Sequence, residues 1–347
     1  MSTEDTPAIE PWLLTWCKRE LGALPAEQLL AAAAMSDVKA LRLDDGREVV
    51  IKTRPDPSGR VATCLAVQRT VAEAGLPCAR PLTGATTVHG LAARDVAVDD
   101  LALHGLAVHG LTLHDLTAND PAANDLVVHA EEWRPGGEIE RDTGVAAAER
   151  SARLYAAVSA ITNGLRLPPP LPNPEWVHWD HDGPGHWPPN PRHDHRPGAD
   201  SLPPDLLAIA ARTRKRLLAS TSMPHVLGHA DWEAQNLRWQ GNEPHTIHDW
   251  DSMAFLPESA LAGAAAGCFA STETPTLAPL TSSEAFLTAY QEARNRPFTP
   301  PELEIAWAAS LWPALHNARA ELLWNHPPIA LTELRAQAEP RLQRAAA

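Results

Sequence analysis

Two short stretches carry side chains at spacings that chemistry can use: His229-Ala-Asp231-Trp-Glu-Ala-Gln-Asn236 and, a little further on, Ile247-His-Asp249-Trp-Asp251. They combine a carboxylate able to accept a proton with a neutral amide and a second carboxylate able to hold a divalent cation. Phosphoryl transfer needs that set. Its transition state is loose, so a protein mainly aligns an incoming hydroxyl, neutralises phosphate charge and excludes water. In this reading Asp231 aligns and deprotonates the hydroxyl, while Asn236 and Asp249 hold Mg2+. Asp251 assists the metal or orients the loop, and His229 braces the loop by hydrogen bonds rather than carrying protons. The plainer alternative makes Asp231 a turn cap and Asp249 a solvated loop acid.

Such residues must be positioned by short elements. Val226-Leu227 precedes the first stretch, Leu237 and Ile247 flank the second, and Gly241-Asn242 separates these two. The pattern predicts a loop, a strand, a tight turn and another strand, a small hairpin that sets Asn236 and Asp249 across from each other. With that order of motifs the chain resembles the aminoglycoside phosphotransferase family, which shares the protein-kinase fold and carries HxDxxxxN followed by IDW[DE]. Two positions depart from the pattern. Ala230 stands at the usual glycine, and His248 separates Ile247 from Asp249.

The resemblance implies an α+β, two-lobed, protein-kinase-like fold. A small antiparallel-sheet lobe over 1–134 would bind nucleotide, and a larger, mostly helical lobe over 135–347 would carry catalysis and the acceptor. Mg2+ and ATP or GTP would serve as cofactor and phosphate donor, bound between the lobes. Upstream, Val38–Leu43, the Asp44-Asp-Gly46 turn and Glu48–Lys52 read as a strand hairpin ending in a lysine. Lys52 is then the ligand of the α- and β-phosphates. Residues Gly59 to Gly75 have helical spacing. Where the family places a glutamate to pair with the lysine, this helix offers Gln68, or Glu73 in a different register. No glycine-rich phosphate loop is visible, and Ser36 with nearby backbone amides takes that place.

Residues 94–128 repeat with a period of five, which fits neither helix nor strand and resembles the pentapeptide-repeat pattern. They read as an insert in the first lobe, between Leu82–Ala93 and Val127–Trp133 as consecutive strands. Glu131-Glu-Trp-Arg-Pro-Gly-Gly then predicts a hinge, where the resemblance has backbone groups near Glu132 and Trp133 reading the base.

The stretch Pro168 to Pro204 is too rich in proline for a helix and mixes tryptophan, histidine and acid. It follows a helix over 145–163 and lies where the family builds the acceptor wall, so Trp176, Trp179 and Asp180 are candidates for stacking on sugars or binding amines. Leu303 to Leu323 repeats apolar residues at three and four, a helix from which His316 and Glu321 are further acceptor candidates. Tryptophans on that stripe are core by default.

The chain of 347 residues is long enough for two domains, and its net charge of −14 argues against nucleic acid and is compatible with a cationic acceptor. No CxxC pair, signal-peptide pattern or run of about 18 apolar residues is present, so the expectation is a cytoplasmic enzyme with no membrane contact. The function expected is transfer of a γ-phosphate to a hydroxyl of an aminoglycoside-like, antibiotic, amino-sugar or amino-alcohol acceptor. The alternative is a catalytically degenerate nucleotide- or metabolite-binding relative. Acceptor identity and oligomeric state stay open.

Overall fold

The computed structural model describes residues 9–33, 36–89, 125–167 and 171–347. The chain divides into two compact units, Met1–Ala72 with Cys78–Pro135, and Glu73–Pro77 with Gly136–Ala347.

Unit 1 is built on a five-stranded sheet in the order β1-β2-β3-β5-β4, with every pairing antiparallel. Its strands are β1 (Pro25–Ala33), β2 (Asp37–Leu43), β3 (Glu48–Pro55), β4 (Thr86–His89) and β5 (Asp125–Glu132). Alternation explains the central hairpin: Leu41, Leu43, Val49 and Ile51 share one face. There they close a core with Val128 and Ala130 of β5 and with Leu13, Trp16 and Cys17 of α1 (Pro11–Glu20). The opposite face carries Lys52, whose register partner on β5 is His129, and Val50, whose partner is Glu131. Helix α2 (Val61–Glu73) starts where Asp56 accepts the amides of Arg60 and Val61.

Sequence patterning does not anticipate β1. Its run of Ala, Leu, Gln and Glu favours helix, and pairing with β2 overrides that preference, at the cost of two register shifts. Most of the pentad stretch lies outside the described residues. Its last members do not: the sheet resumes at Asp125, so Leu126 and Val128 belong to β5 rather than to an insert running to 128.

Unit 2 is mostly helical. It comprises α3 (Val145–Thr162), the one-turn α4 (Pro191–Asp194), α5 (Pro204–Leu218), α6 (Glu258–Cys268), α7 (Leu280–Ala293), α8 (Pro300–Ala309), α9 (Trp312–Trp324) and α10 (Ile329–Arg344). The single helix expected over 303–323 is two helices, broken at Ser310-Leu311. Pro313 is the cause: lacking an N–H, it fits the first turn of a new helix but not the interior of a continuing one. Two small ladders carry the loops of interest. Strand β6 (His225–His229) pairs antiparallel with β9 (Met253–Pro257), and β7 (Leu237–Gln240) pairs with β8 (Glu243–Ile247) around the Gly241-Asn242 turn.

Helices α6 and α8 meet backbone to backbone. A Cβ added at Gly263 would lie 2.1 Å from the Ala306 carbonyl oxygen, and one at Gly267 2.1 Å from that of Ser310. Glycines one turn apart thus let α6 seat beneath the β6/β9 ladder. Gly263→Ala is expected to lose about 1–3 kcal/mol of stability through overpacking that no rotamer can relieve. Gly164→Ala, where the nearest atom is 3.9 Å away, should change the urea midpoint far less. Equal midpoints for the two variants would contradict the close approach.

Candidate active site

The two ladders explain how the motifs of unit 2 converge. Pairing of β6 with β9 sets His229 opposite Met253, and the β7–β8 hairpin closes with the His248 amide donating to the Asn236 carbonyl at 2.8 Å. Both motifs therefore leave their strands at the same place. The loop between them is pinned by the Ala230 amide on the Ser252 carbonyl at 2.9 Å. Ala230 itself keeps an ordinary backbone, since it is not among the residues with positive φ, so its methyl brings no backbone strain.

His229 is the brace. It is 1 % exposed and sits edge-on to Trp232 and Trp250, with ring centroids 5.6 and 5.7 Å away. Its Nδ1 accepts the Asp231 amide at 3.3 Å, which leaves Nε2 to carry the proton and donate to the His248 carbonyl at 3.0 Å. Burial holds its pKa below the ordinary value against the opposing pull of Asp249. A neutral ring with both nitrogens committed joins the two motifs. Tyr155 of α3 donates to the His229 carbonyl at 2.9 Å, and Ser151 of the same helix accepts the Trp232 indole N–H at 2.9 Å.

Against this frame three side chains meet. Asn236 Nδ2 donates to the Asp231 carboxylate at 2.9 Å and to its carbonyl at 3.0 Å. Asp249 adopts a left-handed backbone (φ 60°, ψ 44°), a conformation aspartate tolerates better than most residues. Its carboxylate takes the Ser252 hydroxyl at 2.6 Å. Burial, and then the neighbouring Asp249 charge, push the Asp231 carboxyl up to about 7. Like charges enclosed together resist ionising together.

A divalent cation fits such a place. Among the described residues no group of three or more His, Cys, Asp or Glu side chains is arranged to hold a metal. A cation here would rest on the Asp249 carboxylate and the Asn236 amide oxygen, with the Asp231 carboxylate beside it, the sparse protein set that Mg2+ accepts when phosphates and water complete its shell. Because Asn236 donates through Nδ2, its Oδ1 is the atom left for a cation. Asp251 lies on the 3-10 turn Trp250–Ser252 and does not join Asp231 and Asp249 in a three-acid group.

Sequence reasoning passed over Glu233. It is 4 % exposed, and burial followed by the Asp231 charge raise its carboxyl well above the usual range, with Gln235 Nε2 donating to it. On an irregular loop no periodicity marks which side chain turns inward.

In unit 1 the phosphate-ligand candidate Lys52 does not pair with Gln68 or Glu73. Its Nζ lies 2.8 Å from Glu131 of β5, and Gln68 Nε2 donates to the same carboxylate at 2.8 Å. Glu73 is exposed at the end of α2. The expected pairing is thereby corrected: the helix reaches the lysine only through an acid on a strand. Ser36 is half-buried just before β2. The amides of Glu132 and Trp133 face protein carbonyls, Arg80 at 2.9 Å and Glu48 at 3.4 Å, rather than standing open to a base.

The acceptor candidates divide. Trp176, Trp179 and His316 gather around Trp312, whose indole N–H donates to the Trp176 carbonyl at 2.6 Å and whose ring meets those of Trp179 and His316 edge-on at 6.0 and 4.9 Å. Trp179 is 5 % exposed and serves as core, whereas Trp176 keeps 37 % of its surface. Asp180 is exposed, 3.4 Å from His178. Glu321 is committed elsewhere. Its carboxylate accepts the amides of Ile329, Ala330 and Leu331 at 3.1, 2.7 and 3.0 Å and so caps α10.

No family model matches the sequence, and no curated protein matches it. Solved structures do. An amicoumacin kinase, hAmiN, in complex with AMP-PNP, Ca2+ and Ami aligns at TM-score 0.57 and 12% identity over 92% of this chain and 88% of that one. A microcompartment-associated aminopropanol kinase aligns at 0.56 and 14% over 96% and 94%. A thermostable mutant of aminoglycoside phosphotransferase APH(4)-Ia with ADP and hygromycin B aligns at 0.52 and 12% over 96% and 99%. The chain therefore has the α+β, kinase-like fold of aminoglycoside phosphotransferases and related small-molecule kinases, as the motifs led one to expect.

Two groups set opposing pH trends. The Asp231 carboxyl keeps its proton in the fold up to about 7 but loses it near 3.8 when unfolded, so its contribution to stability falls as pH rises through that window. His129 is the reverse: burial, then the Lys52 charge, lower it from 6.5 to about 4, so stability is lost as pH falls from 6.5 towards 4. That loss is on the order of 3 kcal/mol. In cation-free urea melts, Asp231→Asn should steepen the rise of stability with pH relative to wild type, and His129→Gln should flatten or invert it. Parallel profiles for all three proteins would refute both assignments.

Proposed function

We propose that this chain is a small-molecule kinase, transferring the γ-phosphate of a nucleoside triphosphate to a hydroxyl of an amine-bearing acceptor. The observation that carries the reading is the half-buried trio of Asp231, Asn236 and Asp249. A carboxylate poised near neutral pH beside a second acid and an amide suits proton abstraction next to a bound cation.

In this reading Asp231 accepts hydrogen bonding from the acceptor hydroxyl and takes its proton as the oxygen attacks phosphorus. Asn236 Nδ2 holds the Asp231 carboxylate in place, leaving Oδ1 of the same amide for the cation, with Asp249 as its acidic ligand. Mg2+, when bound, supplies the positive charge that offsets the phosphate oxygens. Lys52 adds its ammonium to the α- and β-phosphates. His229 moves no proton and keeps both motifs in register.

The solved neighbours support the class. One was crystallised with AMP-PNP and Ca2+ and another with ADP and hygromycin B. For this chain an amine-bearing acceptor agrees with the formal charge of −14. Of the acceptor candidates, Trp176 and Asp180 keep the exposure that contact with a ligand needs. The degenerate, non-catalytic alternative rests on the missing helix glutamate and the absent glycine-rich loop, and the Glu131 carboxylate 2.8 Å from Lys52 weakens the first of these.

Asp231→Asn is expected to cut turnover about 10²- to 10⁴-fold while Mg·AMP-PNP affinity changes little. Asp249→Ala should abolish Mg2+-dependent nucleotide binding. A panel of hydroxylated amines and amino sugars, scored for phosphate transfer from ATP and GTP, supplies the acceptor for the assay. Full turnover in Asp231→Asn, or unchanged nucleotide binding in Asp249→Ala, would overturn the assigned roles.

A further inference from the structure

A lysine that grips phosphate must be held at the right reach, and a carboxylate held against its ammonium does this best. Among the described residues the carboxylate against Lys52 comes from β5 and not from α2. The residue of α2 turned towards the sheet is Gln68, 2 % exposed, and its Nε2 has two acceptors, the Ala79 carbonyl at 2.7 Å and Glu131 Oε2 at 2.8 Å. Two acceptors on one nitrogen fix which end of the amide faces Glu131. The other carboxylate oxygen, Oε1, meets Lys52 Nζ at 2.8 Å.

The electrostatics agree with a working pair. Burial alone would raise the Glu131 carboxyl, but the Lys52 charge and the hydrogen bonds from Lys52 and Gln68 carry it below its ordinary value, so the anion persists. Glu131 is 3 % exposed, whereas the Lys52 side chain keeps 21 %. One Nζ hydrogen faces the acid, and a lysine carries three. His129, the register partner of Lys52, has its pKa lowered to about 4 by burial and then by the Lys52 charge.

Building on Lys52 as phosphate ligand, we propose that Glu131 of β5 is the positioning acid for that lysine and that Gln68 is the positioning residue for Glu131. The link from helix to phosphate thus runs through an amide and a strand carboxylate instead of a helix carboxylate. The shift has a simple geometric basis. Antiparallel register puts residue 131 two positions from the partner of Lys52, on the same face of the sheet. A strand acid can therefore reach the ammonium without any movement of α2.

The test uses full-length protein and needs no acceptor. Mg·AMP-PNP affinity is measured by calorimetry for wild type, Lys52→Met, Glu131→Gln, Gln68→Met and the Lys52→Met/Glu131→Gln double variant, with melting midpoints alongside. Glu131→Gln is nearly isosteric and should weaken binding about 10- to 100-fold. Gln68→Met should weaken it less. The double variant should bind no more weakly than Lys52→Met, because without the lysine the acid has nothing to position. Glu131→Asp, which keeps the charge, provides a second comparison if Glu131→Gln does not fold, and it should bind more weakly than wild type but more tightly than Lys52→Met. In the transfer assay Glu131→Gln should raise the nucleotide KM and leave the acceptor KM in place. Additive losses in the double variant, or wild-type affinity in Glu131→Gln while Lys52→Met fails to bind, would overturn the inference and leave the kinase reading standing. Wild-type affinity in Lys52→Met would overturn the reading of Lys52 itself.

Discussion

Two half-buried carboxyl groups held side by side are the constraint on which unit 2 turns. Asp231 follows β6 and Asp249 lies between β8 and β9, the partner of β6, and burial and the Asp249 charge raise the Asp231 carboxyl with the Asn236 amide opposing them. Enclosing like charges costs stability that a pair of apolar residues would not cost. Much of the surrounding architecture serves to keep them there. His229 is neutral and doubly bonded, two tryptophans fix its ring, and Asp249 is held in a left-handed turn by Ser252. A site that stores repulsion between two acids has a cation as its natural complement.

Unit 1 presents the opposite case. Its buried acid, Glu131, is matched by Lys52, and the match is reinforced by an amide from α2. The ammonium keeps exposed surface and is suited to an anion. In the proposed reading phosphate oxygens are the complement of this lysine, as a metal is of the acids of unit 2.

The convergence of Asp231, Asn236 and Asp249 was more legible in the sequence than the architecture around it. Asp231, Asn236 and Asp249 stand at fixed spacing around a short hairpin, and Leu237, Ile247 and the Gly241-Asn242 turn announce that hairpin by local pattern alone. The β2–β3 hairpin and α2 were readable for the same reason. Contacts between residues far apart in sequence were not. Lys52 and Glu131 are brought together by the β3–β5 register across the pentad stretch, and no local signal told Glu131 apart from Glu132. Glu321 was a candidate because the resemblance sets its helix beneath the catalytic loop, yet its target is the start of the next helix. Strand β1 was hidden because its residues prefer helix, and Pro313 broke a helix whose apolar stripe ran on without interruption.

The central claim, that the paired acids of unit 2 await a cation, is tested most directly by counting protons released when Mg·AMP-PNP binds. Calorimetry in buffers of different ionisation enthalpy gives that count. A positive ion beside Asp231 lowers its pKa from about 7, so binding at pH 6 should release close to one proton, and binding at pH 9 none. Binding at pH 6 with no proton released, or no binding at either pH, would contradict the account.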